Sequence, residues 1–208
     1  VRRSLVLALV VLLPAVARAG DLEVGVVGGY FHFNASNSAS ALFGSSGTFT
    51  AGAEVDYRLS HILYVGLGGR YLGDSGERVF VATAGSTVFP LMDEPLKMHM
   101  IPLEATIGYR APVGPYMRPY FGLGPGVNFY HEESTVGGLT SSLDQTNFSF
   151  HVLGGLEFGR GSWRYGVELN FTAVPNAVGI AGVSKVYNEK DLGGISILGR
   201  IAFGTTHP

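Results

Sequence analysis

Cysteine is absent from the 208 residues, which excludes disulfides, thiolate metal sites and cysteine nucleophiles. Charge is scarce as well: Asp, Glu, Lys and Arg make up 14% of the chain, where a soluble domain carries about a quarter. Acids outnumber bases by 16 to 14, so no basic surface for nucleic acid is expected. Beyond the first twenty residues, no apolar run approaches the ~20 residues that a membrane-spanning helix needs. No Pro/Ser-rich linker divides the chain, and one domain is expected.

The N-terminus is where hydrophobicity is continuous. Arg2 and Arg3 precede an apolar run over 5–13, and Pro14 and Ala17-Arg18-Ala19 lead to Gly20. This is the pattern of a secretory leader with an A-x-A cleavage site. The expected organisation is a signal peptide over 1–19 and an exported domain over 20–208. Without Arg2, Arg3 and Arg18 the domain carries a charge of about −5, from 11 bases and 16 acids.

What the rest of the chain has in abundance is alternation. The stretch 48–59, TFTAGAEVDYRL, places Phe49, Ala51, Ala53, Val55, Tyr57 and Leu59 on one track and Thr50, Gly52, Glu54, Asp56 and Arg58 on the other. A period of two is a β-strand with unlike faces. Eight such strands are expected, over 22–33, 48–59, 62–73, 98–110, 118–131, 146–160, 163–173 and 192–203. Connections after the second, fourth and sixth are short, and those after the first, third, fifth and seventh are long and rich in Ser, Thr, Gly and Asn. Short turns on one rim and long loops on the other fit an all-β, eight-stranded, antiparallel, up-and-down transmembrane β-barrel in a Gram-negative outer membrane.

A soluble barrel would alternate too, with its apolar track buried and its charges outside. Aromatic residues argue against it. Tyr57, Tyr109, Phe158, Trp163 and Phe203 fall toward the short-turn rim, and Tyr30, Phe49, Tyr71, Phe129, Phe148 and Phe171 toward the loop rim, as two interfacial girdles. The apolar track then faces lipid. Inside lie Glu54, Asp56, Arg58, Arg70, Glu104, Arg110, Arg118, Glu157, Arg164, Glu168 and Arg200, five acids and six arginines that must pair in a narrow space. The interior is expected to be a closed polar core, with inward glycines making room for the long side chains. The first strand is ambiguous, because Val24, Val26 and Tyr30 compete with Val27, Phe31 and Phe33. Glu23, Gly25, Val27 and Gly29 are taken as inward, because closure sets the first strand beside the eighth and brings Glu23 near Arg200.

IPLEATIGYR over 101–110 and RPYFGLGPGVNFY over 118–130 resemble the fourth and fifth strands of the small eight-stranded outer-membrane barrels of the OmpA, OmpX and OmpW type. The resemblance covers essentially the whole exported domain and specifies architecture more than activity. It implies an outer-membrane lipid environment, a monomer, and an aromatic near the C-terminus recognised by the barrel-assembly machinery. Phe203 takes that last role, although Gly-Thr-Thr-His-Pro follows it.

Chemical motifs are weak. Gly122-x-Gly124-x-Gly126 has the wrong spacing for a dinucleotide and no helix after it. The six histidines have no metal-ligand spacing; His61 falls in a short turn and His207 in the tail, so neither metal nor cofactor is expected. Ser149 and His151 share a face with Glu157, but Glu157 is six residues on, roughly 20 Å along a strand; a polar plug is preferred to a Ser-His-Glu relay. The connection over 73–97 can form a hairpin standing above the membrane, either a site for an extracellular partner or passive cover of the rim.

Pairing Arg110 with Arg118 sets Pro102 opposite Gly126 and Pro125 opposite Leu103, two missing N–H groups at one height and a candidate lateral gate. The functional expectation is a non-enzymatic barrel with a structural or surface-interaction role. The alternative is an OmpW-like barrel that binds or passes small hydrophobic molecules or lipids near Pro102 and Pro125.

Overall fold

The computed structural model describes residues 22–180 and 182–204. The leader expected over 1–19 lies outside these residues, as does the tail over 205–208 with His207. Among the described residues no helix is long and apolar enough to cross a membrane.

Eight strands follow one another: β1 (Leu22–Phe33), β2 (Gly47–Arg58), β3 (Leu63–Phe80), β4 (Phe89–Arg110), β5 (Met117–Val136), β6 (Leu139–Phe158), β7 (Trp163–Ala173) and β8 (Gly194–Gly204). Each pairs antiparallel with the next, and β8 pairs with β1, so the sheet closes into a barrel. Two short helices stand in the loops, α1 (Ser36–Phe43) between β1 and β2 and α2 (Gly182–Val186) between β7 and β8.

The wall is inside out relative to a soluble barrel. Along β8 the pattern is strictly alternating, with Ile195, Ile197, Ile201 and Phe203 exposed and Ser196, Leu198, Arg200 and Ala202 buried. Trp163 and Phe171 bracket the lipid face of β7. Eight residues span roughly 27 Å along a strand, about 20 Å once tilted. Trp163 stacks edge-on with Phe203 at 5.2 Å on one rim, and Tyr30 with Phe49 at 5.8 Å on the other. Phe203, the expected assembly signal, is half exposed on the lipid side, paired with Trp163 and Val24.

Three differences from the sequence reading have physical causes. The connection after β3 forms the hairpin expected over 73–97, whereas that after β5, expected as loop, is also strand for most of its length. β5 and β6 run on to a two-residue turn at Gly137 and Gly138, both with positive φ (54° and 81°), the geometry that matches strand twist in a hairpin. Above the membrane, Ser, Thr and Glu replace hydrocarbon on the outer track, which hides the strands from a hydropathy pattern. The second difference is register: the β4–β5 turn centres on Pro115, with Val113 bridged to Met117, so Arg110 pairs with Tyr120 and Pro102 with Asn128. Pro102 is therefore not opposite Gly126, nor Pro125 opposite Leu103. Third, α1 was not anticipated, since SNSASALF is weakly apolar and takes its helix from packing.

Candidate functional site: a sealed lumen beneath projecting hairpins

Alternation sends the inward side chains of all eight strands into one narrow space, and the structure stacks them in layers. Nearest the short turns is a knot of three arginines and four carboxylates. Arg200 reaches Glu23 at 2.9 Å and Asp56 at 2.9 Å, and also contacts Glu54 and Glu157. Arg110 bonds Asp56 at 2.7 Å and approaches Glu23 at 3.3 Å and Glu157 at 3.4 Å. Arg118 closes the ring at 3.1 Å from Glu23 and 3.0 Å from Glu157. That last approach is an ionic contact without hydrogen-bond geometry, since Glu157 Oε2 has no donor aimed at it. The Arg110 guanidinium also lies over the Tyr64 ring at 4.4 Å. In this dry setting each charge is held by several opposite ones, the condition under which burying ions is tolerable.

Glycine makes the packing possible. A Cβ on Gly155 would strike the Tyr120 ring at 2.5 Å, so Tyr120 can lie across the lumen only there. Its hydroxyl donates to Glu168 at 3.0 Å.

The next layer is a second, separate pair. Arg70 donates to both oxygens of Glu104, at 2.9 and 3.0 Å, and to Ser196 at 2.9 Å. Thr172 and Asn170 complete the Glu104 carboxylate at 2.8 and 3.2 Å. The void between the two ionic layers is about 30 Å³, room for a water or two.

The remaining inward charges stand apart. Arg58 is half-buried at the turn rim with no partner among the described residues, and Arg164 donates to the carbonyls of Gly161 and Trp163. Ser149 Oγ has no hydrogen-bond partner, His151 Nε2 meets Thr106 at 3.0 Å, and Glu157 belongs to the knot below. These three do not form a relay.

Above Arg70 and Glu104 the interior becomes mainly apolar. Phe31, Phe33, Leu72, Met98, Met100 and Tyr130 form an apolar cluster joined by Val174, Ala177 and Leu192 from the last loop and Ala39 from α1. A polar core throughout was expected, and the difference follows from where the membrane ends. Beyond the loop-side girdle the outside is water, so the alternation changes phase: Lys97 and His131 point out while Met98 and Tyr130 point in. The same inversion settles β1, where Val24, Val26 and Tyr30 face lipid below and Phe31 and Phe33 face the interior above.

α1 and α2 stand over this cluster. Glu189, from the last loop, accepts from Asn37 N at 3.0 Å and Ser38 N at 2.9 Å, placing a carboxylate at the helix N-terminus where the dipole favours it. A side chain at Gly76 would strike the Leu42 carbonyl, so α1 sits directly on β3.

Pro102 faces inward and Pro125 outward. The β3–β4 pairing skips from Gly69↔Leu103 to Leu72↔Met100, and the β4–β5 pairing from Glu104↔Gly126 to Ile107↔Leu123. Each proline thus interrupts a different side of β4, some three residues apart in height, rather than making one shared gap. At the second interruption the backbones still touch, since a side chain on Gly124 would strike the Ala105 carbonyl.

A closed antiparallel barrel of eight strands, with hydrocarbon outside, ions inside and aromatic girdles at both rims, defines an integral outer-membrane barrel protein. The chain belongs to the outer membrane protein beta-barrel domain family, whose model matches residues 4–193, and its location is the outer membrane. None of the curated proteins matches the sequence. Among solved structures it is similar to Neisserial surface protein A, with 14% identity over 88% of this chain and 96% of that one, at a TM-score of 0.57. It is also similar to OprG from Pseudomonas aeruginosa, with 12% identity over 90% and 97%, at 0.55. A third is Ail of Yersinia pestis in complex with the heparin analogue sucrose octasulfate, with 13% identity over 88% and 99%, at 0.51. At such identities the likeness is one of fold.

Proposed function

We propose that this barrel is a non-enzymatic, non-conducting display protein whose two tall hairpins bind an extracellular partner. The observation that carries this reading is the contrast between lumen and hairpins: the interior is filled, whereas β3–β4 and β5–β6 continue well past the girdle. Above Phe129, β5 adds seven residues, roughly 23 Å of strand. Phe80 and Phe89 pair at the tip of the first hairpin, each more than half exposed, and Leu139 caps the second at 78%. Apolar residues held clear of the membrane on rigid strands fit a protein contact better than a cover for the rim.

Charge narrows the partner. Residues 131–146 carry Glu132, Glu133 and Asp144 and no Lys or Arg. The sulfated ligand named for Ail therefore does not suit this chain, and a basic protein surface does. Proteoliposomes of zwitterionic lipid should bind an immobilised polycation at low salt and ignore heparin. Replacing residues 132–143 by an Asn-Gly turn should cut polycation binding at least severalfold. Retention on heparin, or indifference to the shortened hairpin, would contradict the reading.

The second reading, lateral passage of hydrophobic molecules past Pro102 and Pro125, draws support from the two interrupted pairings. Opposing it are Arg70, Glu104 and Asn128, the polar groups a hydrophobic passenger would meet at that height. Replacing both prolines by Val should leave uptake of hydrophobic compounds unchanged if the display reading holds; a loss of uptake would favour the gate.

A further inference from the structure

Between the apolar cluster and the loop helices lies a cavity of about 200 Å³, unconnected with the display role proposed above. Phe33, Leu96 and Met98 line it from the barrel, and Ala39, Leu42 and Val183 from α1 and α2. Its polar groups are few and unequal. Glu132 is engaged by the Tyr130 hydroxyl at 2.5 Å, whereas Arg78, exposed on the lining, has no hydrogen bond or ion pair among the described residues.

A well-packed mouth would leave no void of this size, and the Glu189 bonds to Asn37 and Ser38 hold α1 in place over the space rather than letting it collapse. Apolar cavities of roughly 150 Å³ stay dry and take up benzene. The volume here suits one aromatic ring or a chain of roughly eight carbons by the same comparison. The single unpaired cation on the lining selects the head group, because a guanidinium binds a carboxylate with two parallel hydrogen bonds.

We propose that this extracellular-mouth cavity binds a small amphipathic carboxylate, a medium-chain fatty acid or a one-ring aromatic acid, with its apolar part among Phe33, Leu96, Met98 and the α1 residues and its carboxylate on Arg78. Entry is from the outside and needs no lateral opening.

The test is calorimetric titration of the full chain in detergent-free nanodiscs, with empty nanodiscs as the blank for partition into lipid. Octanoate should bind saturably, and affinity should rise about fourfold per methylene from hexanoate to octanoate. Arg78→Gln should weaken octanoate about tenfold and leave octanol unchanged. Ala39→Trp, which fills the cavity from α1, should abolish both. Val183→Trp gives the same occlusion from α2 if the first variant fails to fold, as judged by heat-modifiable mobility. No saturable binding above the blank, tighter binding of octylamine than of octanoate, or binding untouched in a folded Trp variant would each overturn the proposal.

Discussion

Arg200→Ala is expected to destabilise the folded barrel by about 3–5 kcal/mol, the usual cost of leaving a buried ionic partner uncompensated. Arg200 is 2% exposed and touches Glu23, Glu54, Asp56 and Glu157 at once. Removing it leaves four carboxylates to share Arg110 and Arg118. The single tryptophan, Trp163, stands on the lipid-facing rim and reports insertion, so urea unfolding in vesicles followed by its fluorescence measures the loss. Reversing the pair, Glu23→Arg with Arg200→Glu, is not expected to rescue stability, because the new carboxylate would face three others. Asp144→Asn breaks only the exposed contact to His131 at 2.7 Å and should cost no more than about 1 kcal/mol. Similar small losses for Arg200→Ala and Asp144→Asn would mean that the knot is hydrated and carries little.

A charge on the outer wall should be nearly as damaging, and its cost should depend on depth. Val167 is 58% exposed midway between the Trp163 and Phe171 girdle positions. Val167→Arg is expected to cost about 2–4 kcal/mol, the figure for the bilayer midplane. Val24, paired with Phe203 at the rim, should tolerate the same change for about 0–1 kcal/mol. A barrel with its apolar face in water would show neither the cost nor the gradient, so equal and small effects at the two positions would exclude the lipid-facing assignment.

Much of the barrel is legible in the chain because a strand's side-chain period is two wherever one face is apolar. β1 and β7 begin and end at the residues read from the alternation, the stretches 98–110 and 118–131 fall within β4 and β5, and those over 48–59, 62–73, 146–160 and 192–203 overrun β2, β3, β6 and β8 by one or two residues at one end. Pattern fails where the surroundings change. Met98 and Met100 continue the inward track of β4 and Lys97 the outward one, so the apolar residues change track where β4 leaves the membrane, and a single rule of apolar outside cannot cross that boundary. Partner choice is hidden for another reason. Closure brings Glu23 to Arg200 as expected, yet its carboxylate also meets Arg110 and Arg118 across the lumen, because long side chains reach several rungs in a narrow barrel. The Pro125 register turned on two residues in one turn, where Gly114 and Pro115 offer equally good centres to a sequence reading. The cavity beneath α1 draws on β1, α1, β3, β4, β5 and the last loop, and no local signal gathers them.

The central claim is that the lumen is sealed in layers and that the protein acts through what it displays outside. Planar-bilayer recording on the refolded full chain tests it most directly. No stepwise conductance is expected at either polarity in molar salt, given a void of about 30 Å³ between the ionic layers. Well-resolved channel openings from folded, heat-modifiable protein would contradict the account.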